Sequence, residues 1–360
     1  MDELRAKIKV IAIGGAGGNA VNTMIKENLQ GIDYVAINTD YQSLHLNLAP
    51  IKLQIGQEIT KGLGAGSNPE VGKQAALENY EKIAELIGDS NMVFITAGMG
   101  GGTGTGAAPI IAKLAKEMGA LTIGVVTKPF KFEGKKKYNQ ALQGIEYLKE
   151  HVDSLITIPN DKLLDFAGSN LTLVDTFKKA DDILVHAVKG ISDLINQTGL
   201  INTDFADICT VMSKRGLALM GTGTASGEKK SLKAAQQAVE SPLLENLKID
   251  GATGLIINIS GSDQLTTSEV YEAVQFITEA ADDDAEIIFG AVIDNTLEDQ
   301  VKITVIATGI DQSLQHQEKN TLIKESMPKE QIYSEDQFDT PSYLRNTRPD
   351  FHFKSKRDFI

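Results

Sequence analysis

The 360-residue chain has no tryptophan, one cysteine and five histidines. A single cysteine, Cys209, excludes an intramolecular disulfide and fits a reducing compartment; we read it as a small buried apolar residue. The histidines stand in no evident catalytic constellation, and no side-chain cage for a metal is visible. Long apolar runs are missing too. No stretch approaches about 18 uninterrupted apolar residues, and the opening "MDELRAKIKVIAIGG" lacks the basic-then-apolar order of a secretory signal, so the expectation is a soluble, cytoplasmic protein. Positive charge is short: 35 Lys and Arg against 48 Asp and Glu leave a formal net charge of -13. That removes the broad basic field with which a protein grips duplex nucleic acid.

What is present is an alternation of short apolar runs with helical patterns. "IKVIAI" (8–13), "YVAIN" (34–38), "MVFITA" (92–97), "LTIGVV" (121–126) and "SLITIP" (154–159) have the Val/Ile-rich character of strands buried on both faces. Between them "APIIAKLAKEMG" puts Ile110, Ile111, Leu114 and Ala115 on one helical face, with Gly119 placed to end the helix. Repeated strand-helix-strand units predict a doubly wound parallel sheet. Residues 171–197 carry Val174, Phe177, Leu184, Val188, Ile191 and Ile195 at helical spacing, too long a run for a crossover, and read as a central helix between two domains. After it come helix "KKSLKAAQQAVE", strand "GLIINISG", helix "SEVYEAVQFITEAA" and strands "AEIIFGAVID" and "VKITVIATGI", a smaller mixed α/β unit. Beyond residue 311 the chain is mostly polar without apolar period, the composition of a disordered tail, acidic over 312–339 and basic over 340–360.

"AGMGGGTGTGAAP" (97–109) places six glycines between Gly98 and Gly106. Alone it would pass for a flexible linker. A buried strand runs in and an amphipathic helix runs out, however, which sets the glycines at the carboxyl edge of a parallel sheet. There, backbone N–H groups and a helix N-terminus converge on phosphate oxygens, with Thr103 and Thr105 as extra hydroxyl donors. A second loop, "GGAGGNAV" (14–21), follows the first strand and fits G-x-G-x-x-A, with Asp40 about 20 residues on where a ribose-binding acid belongs. That window by itself makes an NAD-dependent oxidoreductase a candidate. The second phosphate cradle, the unused histidines and the long central helix have no place in that plan. No G-x-x-x-x-G-K-[ST] occurs, which disfavours ordinary P-loop enzymes.

Seven segments, "GGAGGNAV", "NTD" (38–40), "TKGLGAGSNPEVG" (60–72), "GGGTGTGAAP", "KPFKFEG" (128–134), "IPNDKLL" (158–164) and "NTDFAD" (202–207), stand in the order and spacing of FtsZ, the bacterial tubulin-like cell-division GTPase. The resemblance spans roughly residues 8–311. It implies a Rossmann-type parallel-sheet GTPase domain (1–170), a central helix (171–200), a second α/β domain opening with a catalytic loop (201–311), a linker (312–338) and a partner-binding peptide with a basic end (339–360). GTP and GDP are the implied ligands, with Mg²⁺ bridging the β- and γ-phosphates partly through water. By the same resemblance Gly15, Ala16, Gly17, Gly18 and Asn19, with Gly102, Thr103 and Gly104, cradle the phosphates, and Ala65, Gly66 and Asn68 approach the γ-phosphate. Glu133 resembles the ribose-contacting acid, and Lys137 stands where many members have Arg, a point charge in place of a bidentate fork. Phe177 is placed to pack on the base, and Asp181, one turn later, to accept both guanine N1–H and N2–H, with Asp182 next should the helical phase differ. Asn19 completes base recognition.

"NTDFAD" reads locally as a helix start, with Asp204 as cap and Asp207 in the first turn. In the family this loop lies far from the subunit's own nucleotide and completes the active site of the next subunit. The resemblance thus gives Asp204 and Asp207 the task of orienting the attacking water, with Asn202 touching the same nucleotide. It implies a head-to-tail homopolymer at the mid-cell ring, and a peptide "DTPSYLRN" (339–346) that binds membrane-tethering partners such as FtsA. A tubulin-like structural filament with little hydrolysis is the other reading that Lys137 leaves open.

Overall fold

The computed structural model describes residues 6–167, 172–196, 203–214, 216–241, 243, 252–282 and 284–310. The expected linker and terminal peptide therefore lie outside the described residues, as does Asn202. Ten strands form one sheet in the order β3-β2-β1-β4-β5-β6-β7-β10-β8-β9. They are β1 (Ile8–Ile13), β2 (Ile32–Asn38), β3 (Ile51–Gln54), β4 (Met92–Gly98), β5 (Leu121–Lys128), β6 (Ser154–Pro159), β7 (Gly216–Ser226), β8 (Gly254–Gly261), β9 (Glu286–Ile293) and β10 (Gln300–Ile310). From β3 to β7 the pairing is parallel, β10 runs antiparallel to both of its neighbours, and β8 and β9 are parallel.

The helices are α1 (Gly14–Lys26), α2 (Tyr41–His45), α3 (Gln57–Thr60), α4 (Pro69–Glu78), α5 (Tyr80–Ile87), α6 (Thr103–Glu117), α7 (Lys135–Lys149), α8 (Asn160–Ala167), α9 (Leu173–Asn196), α10 (Phe205–Met212), α11 (Lys230–Val239) and α12 (Thr267–Thr278). The strands are apolar on both faces because both faces are covered. In β1, Val10 and Ala12 join the core under α1 and α9, while Ile11 and Ile13 join the core under α4 to α7. This is the doubly wound α/β arrangement that the alternating pattern predicts.

The central helix α9 buries Leu184, Val185, Val188, Ile191 and Leu194 in one apolar cluster with Met92 of β4 and Ile306 of β10. Each such aliphatic, fully buried, contributes about 1.5–3 kcal/mol. The helix therefore carries a single core across both halves of the sheet. Its first turns differ from the expected stripe: Val174 is 75 % exposed and Phe177 41 % exposed. α6 stops as expected, with Met118 as cap and Gly119 at φ +88 behind it. Its start differs, because Thr103 to Gly106 are already helical rather than loop.

Candidate functional site

The carboxyl ends of β1, β4, β5 and β6 open onto a cleft of about 250 Å³. Two glycine runs make its floor. Gly14 takes φ +74, a left-handed value that glycine adopts without penalty, and turns β1 at once into α1. The run after β4 does the same into α6, so both helix N-termini point at one space. Gly15, Ala16, Gly102, Thr103, Gly104, Glu133, Lys137, Phe177 and Asp181, nine of the residues singled out from the sequence, line this cleft together. A smaller hollow of about 140 Å³ shares Gly14 and Gly15 with it and is lined by Gly18 and Asn19.

The other residues singled out lie beside the cleft rather than in its wall. Gly17 packs where a Cβ would stand 2.4 Å from the Thr96 carbonyl oxygen, so its role is close approach of α1 to the sheet. Ala65 and Asn68 press on Gly102 from the third loop, and a Cβ on Gly102 would stand 2.7 Å from that of Ala65. Asn68 uses its side chain to cap α4, accepting from the Glu70 N–H at 3.1 Å. Gly66 sits at φ +57 with open space before it. Thr105 does not face the cleft; its hydroxyl oxygen accepts the Gly100 N–H at 2.8 Å and so folds the loop. Thr103 shares a 2.6 Å hydroxyl bond with Thr39. Asp40, the acid that the dinucleotide reading needed for ribose, caps α2 by accepting the Ser43 N–H at 3.0 Å.

At the far wall Phe177 meets Phe130 edge-on, ring centroids 5.2 Å apart, and Phe130 is fully buried. That contact fixes the ring orientation from which Phe177 offers its exposed part to the cleft. One turn along α9, burial pushes the Asp181 carboxyl up to about 7, with the charge of Asp182 adding to the rise. Asn160, just after β6, is 5 % exposed, lines the same cleft and has an Oδ1 with no hydrogen-bond partner. A buried acceptor left without a donor costs free energy unless a ligand supplies one, so this wall fits a planar group rich in N–H donors. Asn160 and Phe130 stand out in the sequence only by their place inside "IPNDKLL" and "KPFKFEG", and are not among the residues singled out above. Among the described residues no group of three or more His, Cys, Asp or Glu side chains could hold a metal ion.

Asp204 and Asp207 sit elsewhere. Asp204 occupies the cap position of α10 with no side-chain cap bond, and both acids are exposed. The Ser154 hydroxyl, at the start of β6, donates to the Met212 carbonyl at 2.7 Å and pins the end of α10 to the amino edge of the sheet. Phe205 and Cys209 share a hollow there with Asn91 and Leu121, the residues that lead into β4 and open β5. Asn160 follows the other end of β6. Six residues at about 3.3 Å each put roughly 17 Å of strand between the two edges, beyond the reach of an aspartate side chain.

Two family models match the chain: "Tubulin/FtsZ family, GTPase domain" over residues 7–168 and "FtsZ family, C-terminal domain" over 216–311. An empty FtsZ dimer of M. jannaschii is similar at 47% sequence identity and a TM-score of 0.83, over 86% of this chain and 90% of that one. CetZ1 from Haloferax volcanii, a GDP-bound monomer, matches at 21% identity and 0.74, over 89% and 99% of the two chains. CetZ2 from the same organism, a GTPγS-bound protofilament, matches at 17% and 0.71, over 89% and 100%. The two CetZ likenesses speak for the fold alone.

Proposed function

The chain belongs to the Tubulin/FtsZ family, and from that premise we propose that its subunits join head to tail, each completing the hydrolytic site of the next. It is a GTPase, and a guanine nucleotide is its ligand. The observation that carries the rest is the placement of the acids and the cleft at opposite ends of β6. A subunit cannot bring Asp204 or Asp207 to its own cleft, whereas a translated copy can. Such a contact is heterologous and propagates into an open filament. The FtsZ relative is described as a dimer, which fits this reading.

In the cleft, Gly15, Ala16, Gly18, Gly102, Thr103 and Gly104 hold the phosphates through backbone N–H groups and two helix N-termini. The loop of Ala65, Gly66 and Asn68, pressed on Gly102, senses the γ-phosphate, while Gly17 lets α1 close on the sheet. Phe177 packs on the base. Asp181, Asn160 and Asn19 select guanine, and Glu133 takes the ribose. Mg²⁺ bound with the nucleotide would neutralise the charge of the phosphates; among the described residues no group of three or more His, Cys, Asp or Glu could hold it. Phosphoryl transfer needs an oriented nucleophile and charge stabilisation more than a strong base, so Asp204 and Asp207 of the neighbour orient the water. Asn202, outside the described residues, is assigned to the same nucleotide by the family resemblance alone. The filament is the scaffold of the division ring, tethered to the membrane through residues 339–346 by an FtsA-like partner.

The test is GTP hydrolysis measured against protein concentration with light scattering alongside. Activity per molecule should appear only above the concentration at which scattering rises. Constant activity on dilution with no polymer would return the chain to a monomeric enzyme.

A further inference from the structure

Thr39, the middle residue of "NTD", is fully buried and stands behind the cleft wall, yet its hydroxyl lies 2.6 Å from that of Thr103, which lines the cleft. Each hydroxyl has one proton to give and lone pairs with which to accept. At that distance one of the two donates to the other, so the bond has a direction.

Proton counting sets the direction. An ionised phosphate oxygen only accepts, so Thr103 reaches a phosphate by spending its single proton on it. A proton spent on Thr39 is lost to the cleft. It would also strand the Thr39 proton, because among the described residues the Thr39 hydroxyl has no hydrogen-bond partner other than Thr103. An unpaired donor in a fully buried position is costly. With Thr39 as donor both protons are used, one on Thr103 and one on the ligand. A hydroxyl that accepts a hydrogen bond is also polarised into a stronger donor.

The backbone of Thr39 is held from its other side. The Ile55 N–H donates to the Asn38 carbonyl at 3.0 Å, the Tyr41 N–H to the Gly62 carbonyl at 3.0 Å, and the Thr60 hydroxyl to the Thr39 carbonyl at 3.3 Å. Thr39 therefore offers its hydroxyl from a turn tied to the start of the loop that presses on Gly102. Thr103, the first residue of α6, stands beside Gly14, the first residue of α1, where a Cβ would be 3.5 Å from its own. Its hydroxyl is thus delivered where the two helix N-termini meet.

We infer that Thr39 is a positioning residue for phosphate binding: its buried hydroxyl donates to Thr103 and so aims the Thr103 proton at a phosphate oxygen. It touches no ligand and acts through Thr103 alone. The inference deepens the nucleotide reading above and rests on it. With valine at 39, Thr103 keeps its proton but loses the donor that holds its oxygen in place, and its side chain is free to turn about χ1.

The experiment measures GDP and guanosine affinity of the full chain, by displacement of a fluorescent GTP analogue, for wild type, Thr39→Val, Thr39→Ser, Thr103→Val and the double valine variant. Thr103→Val should weaken GDP binding by about tenfold and Thr39→Val by about fivefold, and neither should change guanosine affinity. Thr39→Ser restores the donor and should bring GDP affinity back to within about twofold of wild type. In the Thr103→Val background, Thr39→Val should cost nothing further. Wild-type GDP affinity in Thr39→Val overturns the inference. So does a loss that guanosine shares, that serine does not recover, or that persists in the Thr103→Val background, since each is the mark of a turn that has merely lost its packing. Wild type alone tests the underlying reading: GDP that binds no tighter than guanosine removes the phosphates from this cleft and takes the inference with it.

Discussion

Asp181 has two opposed demands on it. Burial, with the charge of Asp182 adding to it, pushes its carboxyl up to about 7, so near neutral pH the group is partly protonated. On the proposed reading Asp181 accepts guanine N1–H and N2–H, which needs the ionised form, so binding would expel that proton. GDP affinity should therefore fall as pH drops from 8 to 6, with proton release on binding near pH 7, and Asp181→Asn should flatten the profile; calorimetry in buffers of different ionisation enthalpy reads both. The sign for stability is the reverse. Between the ordinary aspartate value near 4 and the folded value near 7, the native state holds a proton that the unfolded chain has lost. The contribution of Asp181 to the unfolding free energy thus declines as pH rises through that window, while His186, whose pKa burial lowers to about 3, contributes with the opposite sign. Asp181→Asn should abolish the decline and leave the variant the more stable of the two at pH 8 in urea titrations, while binding GDP poorly.

At the scale of elements, the glycines separate into those that shape a site and those that let backbones touch. A Cβ on Gly106 would stand 1.9 Å from the Pro69 carbonyl oxygen, and one on Gly72 2.3 Å from that of Gly102, so α4 and α6 pack with almost nothing between them. Gly15 has open space in front of it and faces the cleft. Gly106→Ala should cost about 2–3 kcal/mol in urea unfolding as α4 is pushed off α6. Gly15→Ala should leave the unfolding midpoint unchanged and weaken GDP binding. From sequence the two kinds look alike, because each needs a missing Cβ, and this is why the glycine runs gave away the cleft yet blurred its edges. The same ambiguity hid β7. Its Gly221 and Gly223 lower strand propensity, and they are there because α11 lies within 2 Å of where their side chains would start. β3 escaped for another reason: it is a four-residue edge strand with no buried position and so no apolar run to read. The buried parallel strands and α9 were legible because covering both faces of a sheet forces continuous Val and Ile.

For the whole molecule, what matters is that one strand, β6, is followed at its carboxyl end by Asn160 in the cleft and begins at the anchor of α10. The amino edge carries two exposed acids and the carboxyl edge carries the glycine floors, so on the proposed reading a subunit presents half a site at each end. Asp207→Ala removes one half and leaves the other. Alone it should still scatter light with GTP and hydrolyse it at least about tenfold more slowly than wild type, the scale of losing a group that positions the nucleophile. The more telling measurement mixes the two. Wild type held at half its threshold concentration is nearly inactive because too few clefts face a neighbour. Adding Asp207→Ala subunits should carry the mixture past the threshold, so that every wild-type amino edge serves whichever cleft adjoins it, mutant clefts included. Hydrolysis should then rise by much more than the residual activity of the added protein. An enzyme that acted as a monomer would show no change, and one that used its own Asp207 within the filament could gain nothing in the mutant clefts, so radiolabelled GTP preloaded on Asp207→Ala subunits would stay intact. Conversion of that preloaded GTP to GDP by wild-type neighbours is the outcome that the opposed geometry of β6 demands.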